Sequence, residues 1–335
     1  MRKIKLCTLC SGYDSQMMAM KRLAYIYNFD AELVAWSEID EIPIKAHKAL
    51  FPESADKNLG DMTKINWNEV EDFDILTYST PCTNISIQGR QEGLTKGSGT
   101  ASSIIWEVEK CIATKKPKYL LLENVKQLVS KKYINDFNTW LNILSSYGYT
   151  NYWKVLDSAD FDVPQHRERV FVVSILNGKE NEFTFPEPIE PMTSAKDLLE
   201  PIDTKWIYNP KYLTNFHRYD LSNKEFKEFG LRVVGNCFKS DFNSGNVYDF
   251  TIKKTIAPTC MMHHGTSIIL ERLDDNGKPI ICKMTPREMF KFMGVSIDDI
   301  NIMENVCGSG GLLKMAGNSI VVEVLYHIFK QMLIK

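Results

Sequence analysis

The sequence predicts an α/β protein, with a doubly wound, Rossmann-like sheet and a second, smaller domain that is mostly β or irregular. Through the first 176 residues, short β-rich runs alternate with longer helical stretches, which is typical of a parallel sheet covered by helices. The alternation stops at Asn177, and the prolines of FTFPEPIEPM then indicate an extended linker. From about residue 200 to 290, sustained helical periodicity is missing.

The individual elements follow from the periodicity of the apolar residues. Six strands are predicted: Ile4 to Cys10, Glu32 to Trp36, Ile75 to Ser79, Tyr119 to Leu122, Tyr152 to Leu156 and Val170 to Ile175. Helices are predicted at Gln16 to Asn28, Ile104 to Thr114, Tyr133 to Tyr147 and Ser319 to Leu333. We therefore predict a first domain over 1–190, to which 315–335 returns, a second domain over 191–290 and a hinge over 291–314.

The composition limits the kind of protein. A chain of 335 residues that is 44% hydrophobic and 24% charged is expected to fold into about two globular domains. No apolar run reaches the roughly 18 residues of a membrane helix, and the N-terminal apolar stretch is too short for a secretory signal, so we expect an intracellular protein without a membrane span. The eight cysteines are scattered, which favours reduced thiols.

Charge is distributed unevenly along the chain. The net charge is −2, but residues 205–283 contain twelve basic and eight acidic residues, so this stretch is +4 and the remainder is −6. A polyanion partner for one domain is compatible with this asymmetry.

Candidate ligand-binding residues lie at the ends of the first two strands, because doubly wound sheets bind ligands beyond the carboxyl ends of their strands. Gly12 allows close approach of the backbone, and Glu38 lies where such folds place a carboxylate on a ribose. For Asp61, a contact to an adenine amino group and an ordinary surface aspartate both fit. Cys7 and Cys10 have C-x-x-C spacing, but their location inside a strand favours packing over redox chemistry.

Three further motifs carry chemistry. Cys82 follows the third strand in STPCTNIS, where the preceding proline presents the thiol and the polar neighbours favour an exposed nucleophile over a buried one. Glu123 ends a hydrophobic strand, so it must be hydrogen-bonded or protonated. Arg167 and Arg169 alternate onto one face of an extended segment, although an isolated R-x-R is also typical of a solvated edge.

These motifs, taken in order, give the chain a resemblance to the cytosine-5 DNA methyltransferases of bacteria and phages. The matching elements are Cys10-Ser11-Gly12, Pro81-Cys82 with Ser86, Glu123-Asn124-Val125, Gln165-x-Arg167-x-Arg169 and Gly317-Asn318-Ser319. Thr285-Pro286-Arg287-Glu288, running on to Met293-Gly294, resembles the family's penultimate motif. The resemblance covers residues 4–176 and 285–330, and the order and spacing of the motifs make it specific.

The resemblance implies methyl transfer from S-adenosylmethionine to C5 of a cytosine that is flipped out of double-stranded DNA, with S-adenosylhomocysteine as product. Cys82 matches the thiol that adds to C6, and Glu123 matches the carboxyl group that contacts N3 and the exocyclic amine. Arg167 and Arg169 match arginines that hold the base and order the catalytic loop. The implied cofactor-binding residues are Cys10, Gly12, Tyr13, Glu38, Ile39, Asp61, Met62, Pro81, Asn318 and Ser319, and the implied DNA contacts are Ser86 and Gln165.

In this interpretation the domain over 1–190 with 315–335 is catalytic and binds S-adenosylmethionine, and the domain over 191–290 recognises the target sequence. Double-stranded DNA is the implied partner of a monomeric enzyme in the cytoplasm of a bacterial or phage-infected cell. A cognate restriction endonuclease is compatible with the resemblance, and no metal is expected. Cys260, His263 and His264 offer three zinc ligand types, but no fourth is evident.

Alternatives remain open at the level of the sequence. A tRNA cytosine-5 methyltransferase uses the same motifs, and an inactive relative that only binds DNA is favoured by two departures from the family pattern. Cys10 stands where the family has an aromatic residue, with Tyr13-Asp14-Ser15 in place of further glycines, and Ala101 stands where an arginine is common. An oxidoreductase is disfavoured by the missing G-x-G-x-x-G, and a cysteine peptidase by the absence of its family signature.

Overall fold

The computed structural model describes residues 2–80, 104–208, 216–222, 231–237, 245–251, 257, 259 and 268–334. Pro81, Cys82, Ser86 and Ala101 lie outside the described residues, as do Cys260, His263 and His264. The chain divides into two units. Unit 1 comprises Met1–Leu156, Glu168–Glu187 and Val324–Lys335, and unit 2 comprises Asp157–Arg167 and Pro188–Glu323.

This division differs from the predicted one in several places, and the C-terminal return to unit 1 begins at Val324, where residue 315 was predicted. The boundary at Glu187 and Pro188 is three residues before the predicted end of the first domain, but Asp157–Arg167 joins unit 2 and interrupts unit 1. The predicted hinge over 291–314 contains one complete helix and half of another, so much of this segment is regular structure.

A six-stranded sheet forms the centre of unit 1. Its strands are β1 (Lys3–Leu9), β2 (Asp30–Ser37), β3 (Ile75–Tyr78), β4 (Tyr119–Val125), β5 (Tyr149–Asp157) and β6 (Glu168–Leu176). Their order is β2-β1-β3-β4-β6-β5. All six predicted strands are present, and β3 and β4 are buried along their whole length, as expected of central strands.

The parallel pairing expected from the alternation is present in the first four strands but does not extend to β6. β1, β2, β3 and β4 pair in parallel, but β6 runs antiparallel to β4, with Glu123 opposite Phe171 and Val125 opposite Arg169. An apolar run of β-branched residues predicts a buried strand and carries no information about its direction. The antiparallel register places Arg169 at the same end of the sheet as the last residues of β4.

Among the described residues, four α-helices belong wholly to unit 1 and a fifth belongs to it largely: α1 (Ser15–Tyr27), α2 (Glu41–Leu50), α3 (Ile105–Lys115), α4 (Ile134–Ser146) and, at the C-terminus, α8 (Val322–Leu333). The core beneath them is rich in aromatic rings. Trp140 packs edge-on against Tyr78 and Trp106, and its indole N–H donates to the Tyr78 hydroxyl at 3.2 Å.

Unit 2 contains a second sheet with five strands, which agrees with a smaller, mostly β or irregular domain. Its strands are β7 (His217–Arg218), β8 (Val233–Asn236), β9 (Asn246–Asp249), β10 (Ile269–Leu273) and β11 (Pro279–Lys283), in the order β11-β10-β9-β8-β7. Three helices follow: α5 (Pro286–Lys291), α6 (Ile297–Val306) and α7 (Ser309–Asn318).

One segment, Ser309–Leu333, is long and apolar enough to cross a membrane by length and composition alone. The chain breaks this segment between α7 and α8, and 67% of its apolar window is buried in the protein. Both features are those of core helices.

Candidate active site

The turn after β1 is built from alternating left-handed residues. Cys10, Gly12 and Asp14 have φ angles of 52°, 59° and 69°. A Cβ on Gly12 would meet no atom within 4 Å, so the backbone angle, and not a lack of space, is what favours glycine there. The turn directs the Gly12 N–H toward the Glu38 carboxylate, which accepts it at 3.0 Å.

Glu38 is the centre of a hydrogen-bonded network after β2. Its other carboxylate oxygen accepts the N–H groups of Ile39 at 2.7 Å and Asp40 at 2.9 Å. Asn58 bridges both main-chain groups of Glu38, donating to its carbonyl oxygen at 3.1 Å and accepting from its N–H at 3.2 Å. A carboxylate has about four acceptor positions, so Glu38 retains capacity for the hydroxyl groups of a ligand.

The segment before Asp61 lies beside the end of β2. Leu59 N–H donates to the Trp36 carbonyl at 2.7 Å, and the Ser37 hydroxyl donates to the Gly60 carbonyl at 2.6 Å. The Asp61 carboxylate accepts from the N–H and hydroxyl of Thr63, which hold its pKa below the usual range. Unit 1 thus brings together Gly12, Glu38 and Asp61 at the ends of β1 and β2.

The remaining predicted cofactor residues of unit 1 differ in exposure. Ile39 is 73% exposed, whereas Tyr13 and Met62 are buried. The Cys10 thiol lies 3.9 Å from the Met62 sulfur, and burial raises the Cys10 pKa to about 12. Cys7 is also a free, buried thiol with a raised pKa, so neither cysteine has the thiolate character of a redox motif.

A second group of polar residues lies at the ends of β3 and β4. Glu123 is only 6% exposed, and each of its carboxylate oxygens has a partner. The Ser79 hydroxyl donates to Oε2 at 2.5 Å, and Nε of Arg169 lies 3.2 Å from Oε1. The side chain of Arg169 is itself mostly buried, so the ion pair is weakly screened by water.

Asn124, the next residue of β4, fixes the chain on the other strand. Its side-chain amide donates to the Thr80 carbonyl at 3.1 Å, and both residues are buried. Thr80 is separated from Cys82 only by Pro81 in the sequence, so this hydrogen bond fixes the last described residue before Cys82.

Gln165 and Arg167 belong to unit 2, and the structure gives both of them internal partners. The Gln165 side chain is fully buried and donates to the Phe292 carbonyl at 2.5 Å, and its DNA contact stays a prediction. Arg167 is 3% exposed and donates to the carbonyls of Gly317 at 2.9 Å and Ser319 at 2.6 Å. Arg167 therefore fixes the chain around Asn318, at the end of α7.

Sequence reasoning missed two residues of these networks. Ser79 was predicted only as the end of a strand, and Asn58 was not considered. The signal for Ser79 was present, since a polar side chain directly after a buried strand needs a partner. No feature of the sequence pairs Asn58 with Glu38, because that contact depends on how the segment folds back along β2. Among the described residues, no group of His, Cys, Asp and Glu could hold a metal ion.

Unit 1 has an α/β fold with two groups of hydrogen-bonded polar residues, one at the ends of β1 and β2 and one at the ends of β3 and β4. The model of the C-5 cytosine-specific DNA methylase family matches residues 2–334. The chain therefore belongs to this family and is a DNA (cytosine-5-)-methyltransferase, as the motifs predicted.

Individual relatives agree. The chain is 40% identical over 278 residues to the type II methyltransferase M2.ScrFI of Lactococcus lactis subsp. cremoris, covering 82% of this chain and 71% of the relative. It is 34% identical over 298 residues to the orphan methyltransferase M.SssI of Spiroplasma monobiae, with 86% and 73% covered. The methyltransferase EhMeth of Entamoeba histolytica, at 16% identity and a TM-score of 0.73, covers 99% of this chain, is itself covered to 98%, and confirms the α/β fold.

Proposed function

We propose that this enzyme methylates C5 of a flipped-out cytosine within a specific double-stranded DNA sequence, through a covalent bond between Cys82 and C6. The observation that carries the proposal is the buried Glu123 carboxylate held between Ser79 and Arg169. Tyr78 of β3 pairs with Leu122 of β4, so the carboxylate lies beside the chain that leads to Cys82. This arrangement supports a base-binding role for Glu123 close to the residues that precede Cys82 in the sequence.

The chemistry requires this combination because C5 of cytosine is a poor nucleophile. Addition of the Cys82 thiolate to C6 makes C5 electron-rich, and Glu123 stabilises the activated ring at N3 and the exocyclic amine. Bound S-adenosylmethionine supplies an electrophilic methyl group. After C5 takes the methyl group, loss of the C5 proton reforms the C5–C6 double bond and expels the Cys82 thiolate.

The cofactor fits the residues at the ends of β1 and β2. Glu38, held by three backbone N–H groups, would accept the ribose hydroxyls. Ile39 offers an exposed apolar side chain against which adenine would pack, and Asp61 would accept from its amino group. Within unit 2, Arg167 holds the carbonyls of Gly317 and Ser319, and for Asn318 and Ser319 we propose the cofactor role that the motifs imply.

The partners follow from the same proposal. Unit 2 would read the DNA sequence, since it contains the whole basic stretch over 205–283. Relatives described as type II methyltransferases support a cognate restriction endonuclease and action on DNA in the cytoplasm, and we propose that the enzyme works as a monomer.

The test is incubation of the protein with tritiated S-adenosylmethionine and unmethylated duplex DNA or tRNA, followed by nucleoside analysis. We expect labelled 5-methylcytosine from the DNA alone. Label only in tRNA would assign the enzyme to the alternative substrate. Absence of label from both, together with absence of cofactor binding, would favour the inactive DNA-binding relative.

The role of Cys82 is tested by Cys82→Ala. We expect turnover to fall by at least about four orders of magnitude, because the covalent step is lost, while S-adenosylmethionine binding measured by calorimetry is unchanged. Cys307→Ser is the matched control, since Cys307 is a partly exposed cysteine of unit 2. Turnover by Cys82→Ala at the level of this control would contradict the covalent mechanism.

A further inference from the structure

Ser79 is the residue at the Glu123 site to which neither the motifs nor the comparisons assign a role. It is the first residue after β3, and its hydroxyl donates to Glu123 Oε2 at 2.5 Å. We propose that Ser79 is a positioning residue for methyl transfer, which fixes the rotation of the Glu123 carboxylate so that it meets the cytosine edge in one orientation. This inference rests on the proposed function.

The argument begins with the two contacts of the carboxylate. Arg169 approaches Oε1 through Nε and Ser79 approaches Oε2, so the two partners hold the two oxygens of Glu123 separately. A carboxylate with one partner is free to rotate about its last torsion angle, which is broad for glutamate. With a partner on each oxygen, the plane of the group is defined before a base arrives.

The burial of Glu123 makes the Ser79 contact more important. Glu123 is 6% exposed, so water is largely excluded from its carboxylate. If the Ser79 hydroxyl were removed, Oε2 would lose a partner without gaining full solvation. The contact also costs little to maintain, because the parallel pairing of Tyr78 with Leu122 already places the next residues of β3 and β4 side by side. Serine has a single side-chain torsion angle before its hydroxyl, so little conformational freedom is lost.

The same two strand ends are joined a second time. Asn124 donates to the Thr80 carbonyl at 3.1 Å, so consecutive residues of one strand end hold consecutive residues of the other. Ser79 thus links the base-binding carboxylate to the backbone that continues through Thr80 toward Cys82. A change at Ser79 is expected to disturb the alignment of the carboxylate with the nucleophile more than the binding of either substrate.

The experiment compares Ser79→Ala and Ser79→Thr with Ser174→Ala. Ser174 is a fully buried serine of β6 whose hydroxyl has no partner in the described structure, so it matches the substitution without touching Glu123. We expect Ser79→Ala to lower kcat by about 10- to 100-fold, which is less than the roughly 100- to 1,000-fold loss for a donor that contacts the reacting group directly, because Ser79 acts through Glu123. KM for DNA and the Kd for S-adenosylmethionine should change less than about threefold, Ser79→Thr should recover most of kcat, and Ser174→Ala should retain wild-type kcat.

A double-mutant cycle separates positioning from a general structural effect. If Ser79 acts through Glu123, then Ser79→Ala adds little to the loss caused by Glu123→Ala in single-turnover assays. If the double variant loses rate by the product of the two single losses, the proposal is overturned. A wild-type kcat in Ser79→Ala would also overturn it.

Wild-type enzyme and Cys82→Ala are assayed alongside. No product from the wild type on duplex DNA or tRNA would contradict the proposed function itself. Wild-type turnover with an unaffected Ser79→Ala would contradict only the role of Ser79.

Discussion

Asp14 is an acidic residue of unit 1 whose burial opposes the ionisation of its carboxyl group. It is fully buried in a left-handed conformation at the start of α1, where its carboxylate accepts from the Met17 N–H at 2.9 Å and the Thr8 hydroxyl at 2.7 Å. Burial raises the pKa of Asp14 to about 7, although both hydrogen bonds act in the opposite direction. The cap of α1 is therefore partly protonated near neutral pH.

His47 does not relieve this conflict. Its Nδ1 lies 3.8 Å from the Asp14 carboxylate, beyond hydrogen-bonding distance, and its ring stacks on Trp36 at a centroid distance of 3.7 Å. Burial lowers the pKa of His47 to about 3, so the imidazole is neutral at physiological pH and supplies no positive charge.

We predict that Asp14→Asn changes how stability depends on pH. In wild-type protein the folded pKa of Asp14 lies above its unfolded value, so its stabilising contribution is complete below about pH 4 and is lost as pH rises toward 7. Asparagine does not titrate and has no such loss. The unfolding free energy of the variant, relative to that of the wild type, should therefore increase by on the order of 2 kcal/mol from pH 5 to pH 8. The depressed pKa of His47 destabilises both proteins as pH falls below about 6.5, and cancels in the comparison.

Urea unfolding at pH 5 and pH 8 measures this difference. Asp203→Asn is the control, because Asp203 is an exposed cap whose pKa is lowered by its bond to Lys205 and is ionised throughout this range. For Asp203→Asn, the difference in unfolding free energy from wild type should be the same at both pH values. The same independence of pH for Asp14→Asn would contradict the raised pKa of Asp14.

At the scale of elements, α5 shows how a family motif can be structural. Thr285 and Glu288 form a capping box at the start of α5, in which Glu288 accepts the Thr285 N–H at 2.7 Å. The fully buried Glu288 carboxylate also accepts from the Glu200 N–H at 3.0 Å and pairs with Arg272 at 2.8 Å. One side chain therefore ties α5 to β10 and to the segment before the second sheet.

We predict that Glu288→Ala lowers the unfolding free energy by at least about 3 kcal/mol, because it leaves the largely buried Arg272 charge unpaired and removes the α5 cap. Glu304→Gln is the matched control. Glu304 pairs with Arg287 at 2.6 Å, but both side chains are partly exposed, so its loss should cost less than about 1 kcal/mol. If chemical denaturation gives equal losses of unfolding free energy for the two variants, Glu288 stabilises unit 2 no more than an exposed ion pair does.

Some elements of the fold are predictable from the sequence, and others depend on contacts between distant residues. The strands were predictable from their apolar runs, but β4 continues past its predicted end at Leu122, because Glu123 and Asn124 are buried with hydrogen-bond partners. Helix α2 was missed because Pro43 reads as a breaker, yet proline is tolerated in the first turn of a helix that is capped by Asp40. The direction of β6 and the internal bonds of Arg167 could not be predicted, since both depend on contacts with residues distant in the chain.

At the scale of the whole molecule, the chain builds its units from separate segments. The chain returns to unit 1 with β6 after it has entered unit 2 once, and with the C-terminal residues after it has entered unit 2 a second time. Charge is also separated along the chain, because the overall net charge of −2 combines a basic stretch over 205–283 with an acidic remainder. Binding of a polyanion and binding of the cofactor should therefore respond differently to salt.

We predict that duplex DNA binds more weakly as salt rises, with log K falling linearly against log salt concentration by about 0.9 for each phosphate that is neutralised. The protein as a whole is slightly acidic, so this slope must come from a local basic surface and not from net charge.

Binding of S-adenosylhomocysteine should change little over the same range. Its carboxylate and amino group leave it without net charge, and our proposed contacts at Glu38 are hydrogen bonds to hydroxyl groups. Fluorescence titration of a labelled duplex between 50 and 200 mM KCl, with calorimetry of S-adenosylhomocysteine in the same buffers, tests both halves. A flat response for DNA would mean that apolar and base contacts dominate, and the basic stretch of unit 2 would then not be its DNA-binding surface.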